Sequence, residues 1–172
     1  MAIGLEIERR FLIERPDVQL LAERYGAKVK SISQTYLMTS DGYSSERVRC
    51  MTDRGGRVYT HTKKRRISRE SAIEEERELS EAEYRTLLLS ADPTRRVIEK
   101  DRVTFFFGGQ CYEIDLYPFF SRIAVLETEL PRADAPVAFP PELVIFREVT
   151  GIRSLSNHAL ALCVPDEASL LE

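Results

Sequence analysis

The chain has 172 residues, with 25 Lys+Arg against 28 Asp+Glu, a net charge of −3 and a sequence pI near 5.6. That length predicts a single domain over residues 1–172. The acidic balance argues against a nucleic-acid partner, and 43% hydrophobic residues argue for a core rather than a disordered chain. No apolar run approaches the ~18 residues of a membrane span, and Glu6 and Glu8 argue against a secretory leader. Cys50, Cys111 and Cys163 are odd in number, widely spaced and free of any CxxC pair. That usage fits a reducing cytoplasm better than a disulfide framework or a zinc site.

Most of the chain alternates polar and apolar residues with period two, which predicts strands. In chain order these are Leu5–Ile13, Ser33–Met38, Glu46–Met51, Arg57–Arg65, Ala72–Leu79, Val97–Phe107, Cys111–Tyr117 and Ile123–Leu130. Asp41-Gly42, Gly55-Gly56 and Gly108-Gly109 mark turns, the last a tight hairpin. Between the strands, Asp17–Tyr25 reads as a short helix that follows Pro16 and stops at Gly26. Ser80 and Glu83 form a capping box opening a helix to about Ala91. Pro141–Glu148 and Ser156–Leu162 are predicted as two further helices, the second with Leu155, Ala159 and Leu162 on its apolar face. The fold class that follows is α+β, an antiparallel barrel or sandwich with a few helices outside.

The polar faces of these strands are almost wholly charged, and most keep one sign. Glu6, Glu8 and Arg10 share a face of the first strand, with Leu5, Ile7 and Phe11 opposite. Later strands align Arg47 with Arg49, His61 with Lys63 and Arg65, Glu74 with Glu76 and Glu78, Lys100 with Arg102, Glu113 with Asp115, and Glu127 with Glu129. Like charges two apart repel, and more so where water is excluded. A solvated face would mix Ser, Thr, Gln and both charges; this one calls for a guest. Paired carboxylates suit Mg²⁺ or Mn²⁺ through oxygen ligands. Arg and Lys pairs suit phosphate oxygens. A closed sheet holding both is a socket for a metal-bound polyphosphate. Nine interior carboxylates against about seven cations predict a tunnel strained when empty.

Other motifs are read structurally. Lys63-Lys64-Arg65-Arg66 lies at a strand end, with two side chains pointing each way. Phe105-Phe106-Phe107 and Phe119-Phe120 read as packing, and His158 as a packing or capping residue.

The series Glu6-Ile7-Glu8-Arg9-Arg10, Gln34-Thr35-Tyr36-Leu37, Arg47-x-Arg49, Thr62-Lys63, the Glu74/Glu76/Glu78 strand, Glu99-Lys100-x-Arg102, Tyr112-Glu113-Ile114-Asp115, Glu127-Thr128-Glu129 and Glu148-Val149-Thr150-Gly151 resembles the CYTH superfamily, the triphosphate tunnel metalloenzymes. The likeness runs nearly the full chain; the departure is Arg10, where the family motif has Lys. It implies an eight-stranded antiparallel tunnel, a Mg²⁺ or Mn²⁺ cofactor and a triphosphate substrate. By position, Glu6, Glu8, Asp115, Glu127 and Glu129 would bind metal, and Arg10, Arg47, Arg49, Lys63, Lys100 and Arg102 would line the phosphate path. Lys63 beside Tyr36 would sit near the reacting phosphate, where a lysine among arginines has a depressed pKa that suits proton transfer. Glu76 or Glu78 would orient the water. The implied activity is metal-dependent hydrolysis of inorganic triphosphate by a cytoplasmic monomer or homodimer. The alternatives are a thiamine triphosphatase, an adenylate cyclase, or a non-catalytic polyphosphate- or nucleotide-binding module.

Overall fold

The computed structural model describes residues 2–39 and 42–172; Asp41 of the Asp41-Gly42 turn and the side chain of Leu5 lie outside the described residues. The described strands are β1 (Ala2–Glu14), β2 (Lys28–Tyr36), β3 (Ser45–Asp53), β4 (Gly56–Arg66), β5 (Ser71–Leu79), β6 (Ile98–Phe107), β7 (Gln110–Leu116), β8 (Ile123–Glu129) and β9 (Ile145–Glu148). They pair antiparallel in the order β5-β4-β3-β2-β6-β7-β8-β1-β9, and a β5–β1 pairing closes the first eight into a barrel. β1 is the clasp. Its first half pairs with β5 (Glu6↔Ala72), its second with β8 (Arg10↔Glu127). Closure leaves these eight strands no long free edge.

Two-residue turns set several registers. Gly108 and Gly109, with φ of 57° and 80°, join Phe107 to its partner Gln110, a conformation that favours glycine. β2 begins five residues before the predicted Ser33, so Lys28 and Lys30 join its charged face.

The expected Pro141–Glu148 helix is instead a turn followed by β9. β1 leaves β5 after Ile7, and its remaining edge needs partners. The β-branched Val144-Ile145 stretch supplies them: Glu14 N–H donates to the Val144 carbonyl at 2.9 Å, and Val149 N–H to the Arg10 carbonyl at 2.8 Å.

α1 (Val18–Tyr25) carries Asp17 as N-cap and ends on Gly26 at φ 64°. Leu21 packs outside the barrel against Val103, Phe105, Ile114, Leu126 and Phe11. α2 (Glu81–Leu87) starts with the predicted Ser80–Glu83 capping box and brings Tyr84 and Leu87 onto Leu37, Val48 and Leu79. The predicted Ser156–Leu162 helix shortens to α3 (Asn157–Leu160), with Ser156 as its cap. Its buried residues are Leu160 and, flanking it, Leu155 and Ala161, whereas Leu162 is 54% exposed. A last short helix, α4 (Glu167–Leu170), was not predicted; the Glu167 carboxylate accepts from the Arg122 and Ile123 amides.

The lumen changes character along its length. Beyond Arg10, Glu127, Asp115 and Lys100, the inward positions become Leu12, Val125, Tyr117 and Ile98, and Leu155, Leu160 and Ala161 pack onto them as a floor. Each such fully buried aliphatic or aromatic side chain contributes roughly 1.5–3 kcal/mol. No helix among the described residues is long and apolar enough to cross a membrane.

Candidate active site

Above that floor the barrel encloses a cavity of about 1290 Å³. Among the described residues seven carboxylates line it, against eleven Lys or Arg. The expected surplus of acid is therefore reversed. Inward β-positions supply fewer carboxylates than the alternation counted, and the loops add arginines. The residues fall into three groups.

A knot of ion pairs forms the base. Arg102 donates to Asp115 Oδ1 at 2.7 Å and Oδ2 at 2.9 Å, to Glu127 at 2.9 Å and to Glu113. Arg10 donates through Nε to Glu127 at 2.8 Å and through a terminal nitrogen to the Leu155 carbonyl at 2.8 Å. Lys100 donates to Asp115, and neither side chain exposes any surface. Burial would raise the Asp115 carboxyl, but Arg102 and Lys100 hold it far below the usual range. Burial and the neighbouring Arg102 push Lys100 down to about 7. Asp115 and Lys100 thus sit behind the cavity wall, while Glu113 lines it.

An acidic wall runs along β1 and β8. Glu8 and Glu129 face each other directly across the ladder, and Glu6 lies two residues along the same face. Like charges in such rungs repel. Burial, then Glu74, Glu8 and Glu129, raise Glu6 to about 7, and burial and Glu127 raise Glu8. The Glu8 carboxylate makes no hydrogen bond or ion pair among the described residues, whereas Glu6 has Lys64 at 3.5 Å. These are hard oxygen donors short of positive partners, which is the chemistry a divalent cation satisfies. No three such side chains converge into a ready-made metal site among the described residues. Mg²⁺ characteristically takes one or two carboxylates and completes its shell with substrate oxygens and water. The donor set fits that arrangement.

A basic wall faces it from β3 and β4. Arg47 reaches Glu74 at 3.4 Å, but its buried Nε has no partner. Arg49 Nε donates to Gln34 Oε1 at 2.7 Å, and burial with Arg47 and Arg102 lowers it to about 10. Lys64 lies 2.7 Å from Glu74. Burial opposes ionisation of Glu74, yet Arg47 and Lys64 hold it at about 2. The Tyr36 hydroxyl accepts from Gln34 Nε2 at 2.8 Å; burial raises its pKa, and its ring meets His158 edge-on at 4.9 Å. Thr62 donates to Glu76 at 2.8 Å.

Lys63, His61 and Arg65 do not point inward. Arg47 pairs with Thr62 and Arg49 with Thr60, so the even positions of β4 share the tunnel face. Lys64 occupies the place expected of Lys63. On the outer wall, His61 Nε2 lies 2.8 Å from Glu46 Oε1, and Lys63 sits 3.6 Å from the same oxygen and over the Tyr43 ring. Glu78 shares the Glu74/Glu76 face but is exposed and does not line the cavity. The other expected site residues that do line it are Glu6, Glu8, Arg10, Tyr36, Arg47, Arg49, Glu76, Arg102, Glu127 and Glu129. Lys28, Lys30, Lys64, Arg66, Arg69, Arg95 and Arg153 complete the lining. Of these, Lys28 and Lys30 continue the Ile32–Gln34–Tyr36 alternation, and Arg66 the Thr62–Lys64 one, and all three were detectable from it; Arg69, Arg95 and Arg153, off the strands, follow no period.

Two expected outcomes test this placement. Lys63→Met should leave the affinity of the cavity for a phosphate anion unchanged, and Lys64→Met should lower it about tenfold or more, as calorimetric titration would measure. The second concerns pH. Because Glu6, Glu8 and Glu113 have folded-state pKa values raised above the unfolded value, the folded chain binds more protons between about pH 4.5 and 7. Stability of the ligand-free chain therefore falls as pH rises through that window. Its melting temperature should be higher at about pH 5.5 than at about pH 7, above which the lowered Lys100 acts in the opposite sense, and the reverse order would contradict this electrostatic picture.

The fold and cavity together define an eight-stranded antiparallel tunnel with an acidic wall opposite a basic one. No protein-family profile and no curated protein matches the chain. Among solved structures, the inorganic triphosphatase NE1496 is similar, at 28% identity over 94% of this chain and 97% of that one, with a TM-score of 0.58. PH1819 from Pyrococcus horikoshii OT3 is 17% identical over 75% and 80% of the two chains, TM-score 0.56. A Bacillus halodurans protein, bh2851, whose name proposes adenylate cyclase activity, is 15% identical over 78% and 84%, TM-score 0.57. The last two share the fold alone. The chain has the CYTH tunnel fold.

Proposed function

We propose that this protein hydrolyses a triphosphate, inorganic triphosphate first, with Mg²⁺ or Mn²⁺. The observation that carries the reading is the division of one enclosed tunnel into a carboxylate wall short of cations and a guanidinium–ammonium wall with an orphaned Arg47 Nε. NE1496, similar over nearly its full length, is named an inorganic triphosphatase, which supports it.

In this reading Arg47, Arg49 and Lys64 hold the phosphate chain, the Arg47 fork being the one with a donor to spare. Arg10 and Arg102 are committed to Glu127, Asp115 and Glu113 and act as the rigid bed beneath. Glu6, Glu8 and Glu129 would hold the metal, which when bound neutralises phosphate charge and acidifies water. Asp115, locked by Lys100 and Arg102, is not in that set, and Glu127 serves it from within the ion-pair knot. The water oxygen bonds to the terminal phosphorus, the bridging P–O bond breaks and diphosphate leaves. Catalysis rests mainly on alignment and charge neutralisation, with Glu76 the cavity carboxylate placed to orient water and Tyr36 a donor near the chain.

One observation favours an organic triphosphate as second reading. Phe106, on the Arg102/Thr104 face, is 68% exposed at the rim with Tyr25 and Lys28 nearby, a surface on which a ring can stack. Phosphate release from inorganic triphosphate, thiamine triphosphate and ATP, run side by side with Mg²⁺ or Mn²⁺, separates the two readings. Cyclic AMP with diphosphate would mark a cyclase. Metal and triphosphate together should raise the melting temperature more than either alone. Tight binding without turnover on any of the three substrates would make the chain a binding module.

A further inference from the structure

The cation surplus of the cavity is not spread evenly. Eight of its eleven basic residues belong to the strands' tunnel faces, the last of them Arg66 at the end of β4, against seven carboxylates. The remaining three, Arg69, Arg95 and Arg153, lie on connections between strands. Arg95 is engaged, by Asp92 at 3.2 Å and by the His158 carbonyl. Arg66, Arg69 and Arg153 also border an adjoining recess of about 460 Å³ whose lining, Arg66 through Arg69 with Gly151 and Arg153, contains no carboxylate.

The recess is built rather than incidental. Arg69 Nε donates to the Thr150 carbonyl at 2.7 Å, and Arg66 donates to the Arg69 carbonyl at 3.1 Å. Gly151, at φ 74°, lets the Arg69 side chain run directly over the backbone; a β-carbon there would collide with it. Glu70 lies 3.9 Å from Arg69 Nε, and Glu148, held by Arg9, also feels the Arg69 charge, while Arg66 and Arg153 have no ion pair among the described residues. Three guanidinium groups bordering one recess, two of them without an ion pair among the described residues, suit an oxyanion.

We infer that Arg66, Arg69 and Arg153 form a second phosphoryl-binding site in this recess, outside the triphosphate seat. That the oxyanion is a phosphoryl group, rather than another anion, rests on the function proposed above. It is either free phosphate or the terminal group of a phosphate chain longer than three.

Calorimetric titration with inorganic phosphate, triphosphate and tetraphosphate at fixed ionic strength tests it, comparing the native chain with Arg69→Ala/Arg153→Ala. Arg153→Ala alone serves as the variant that removes no internal contact. If free phosphate is the occupant, phosphate binds alongside saturating triphosphate and is weakened about tenfold in the double variant. If a longer chain is the occupant, tetraphosphate binds about tenfold tighter than triphosphate, displaces phosphate, and loses that advantage in the variants. Affinities for phosphate and tetraphosphate that ignore both variants overturn the site. So does a loss for triphosphate as large as for the others. Arginine-dependent phosphate binding in a chain that never turns over triphosphate would sink the proposed function and leave this site standing.

Discussion

Replacing Glu6 and Glu8 together by glutamine should cut phosphate release from triphosphate by about 10³-fold or more while raising the melting temperature of the ligand-free chain. The two effects have one cause. The Glu8 carboxylate has no hydrogen bond or ion pair among the described residues, Glu6 has Lys64 at 3.5 Å, and burial with neighbouring carboxylates lifts both above the ordinary range. Their charge is therefore unfavourable in the empty tunnel and useful only with a cation bound. Glutamine keeps shape and removes charge, so at about pH 8 repulsion with Glu129, Glu127 and Glu74 is relieved while the metal seat is lost. Thermal melting with and without Mg²⁺, beside an initial-rate assay, reads both. A variant that stays active removes the metal assignment. One that is inactive and also less stable shows that these carboxylates support the fold instead.

Arg102→Met should have the opposite profile, unfolding the protein far more than a surface charge change does. Arg102 holds Asp115, Glu113 and Glu127, and Asp115 is wholly buried. Breaking such a buried network leaves carboxylates uncompensated and costs about 3–5 kcal/mol, set against a total stability of roughly 5–15 kcal/mol. For a chain of this size that is a fall in melting temperature of about 6–20 °C. Adding Asp115→Asn should recover part of it, because the worst of the unpaired charge disappears with its partner. A single-variant shift within a degree or two of the native chain would mean that Arg102 is not the keystone described above.

The strands were legible in the sequence because inward charge and outward apolar residues alternate almost without interruption from Glu6 to Arg10 and from Lys100 to Thr104. The like-charged pairs called for a guest, but alternation alone left barrel and sandwich open, and the closed tunnel was implied by the family resemblance. What alternation could not settle was parity where both faces carry charge. In Lys63-Lys64-Arg65-Arg66 either phase reads as a basic strand, and only the pairing of Thr62 with Arg47 decides it. Partner choice was equally hidden. Nothing in one strand's sequence says that Arg10 and Arg102 are spent on carboxylates while Arg47 keeps a donor. Arg69 and Arg153 sit on loops, where no period exists to register them. The segment 141–148 reads as a helix until the bare edge of β1 is known to need a strand.

The clasp role of β1 has a consequence for how the molecule comes into being. Glu8 meets Glu129 across about 120 residues of chain, and Arg10 meets Glu127 across nearly as many. Such distant pairings form late and slowly. During synthesis at about 5–20 residues per second, β1 leaves the ribosome first. It can pair with β5 once residue 76 has emerged, then waits several more seconds for β8. The carboxylate rung and the closed barrel are thus completed in the same event. A nascent or truncated chain ending before β8 carries the β3–β4 arginines and lysine with only the β1 half of the acidic wall, Glu6 and Glu8, and lacks Glu127 and Glu129.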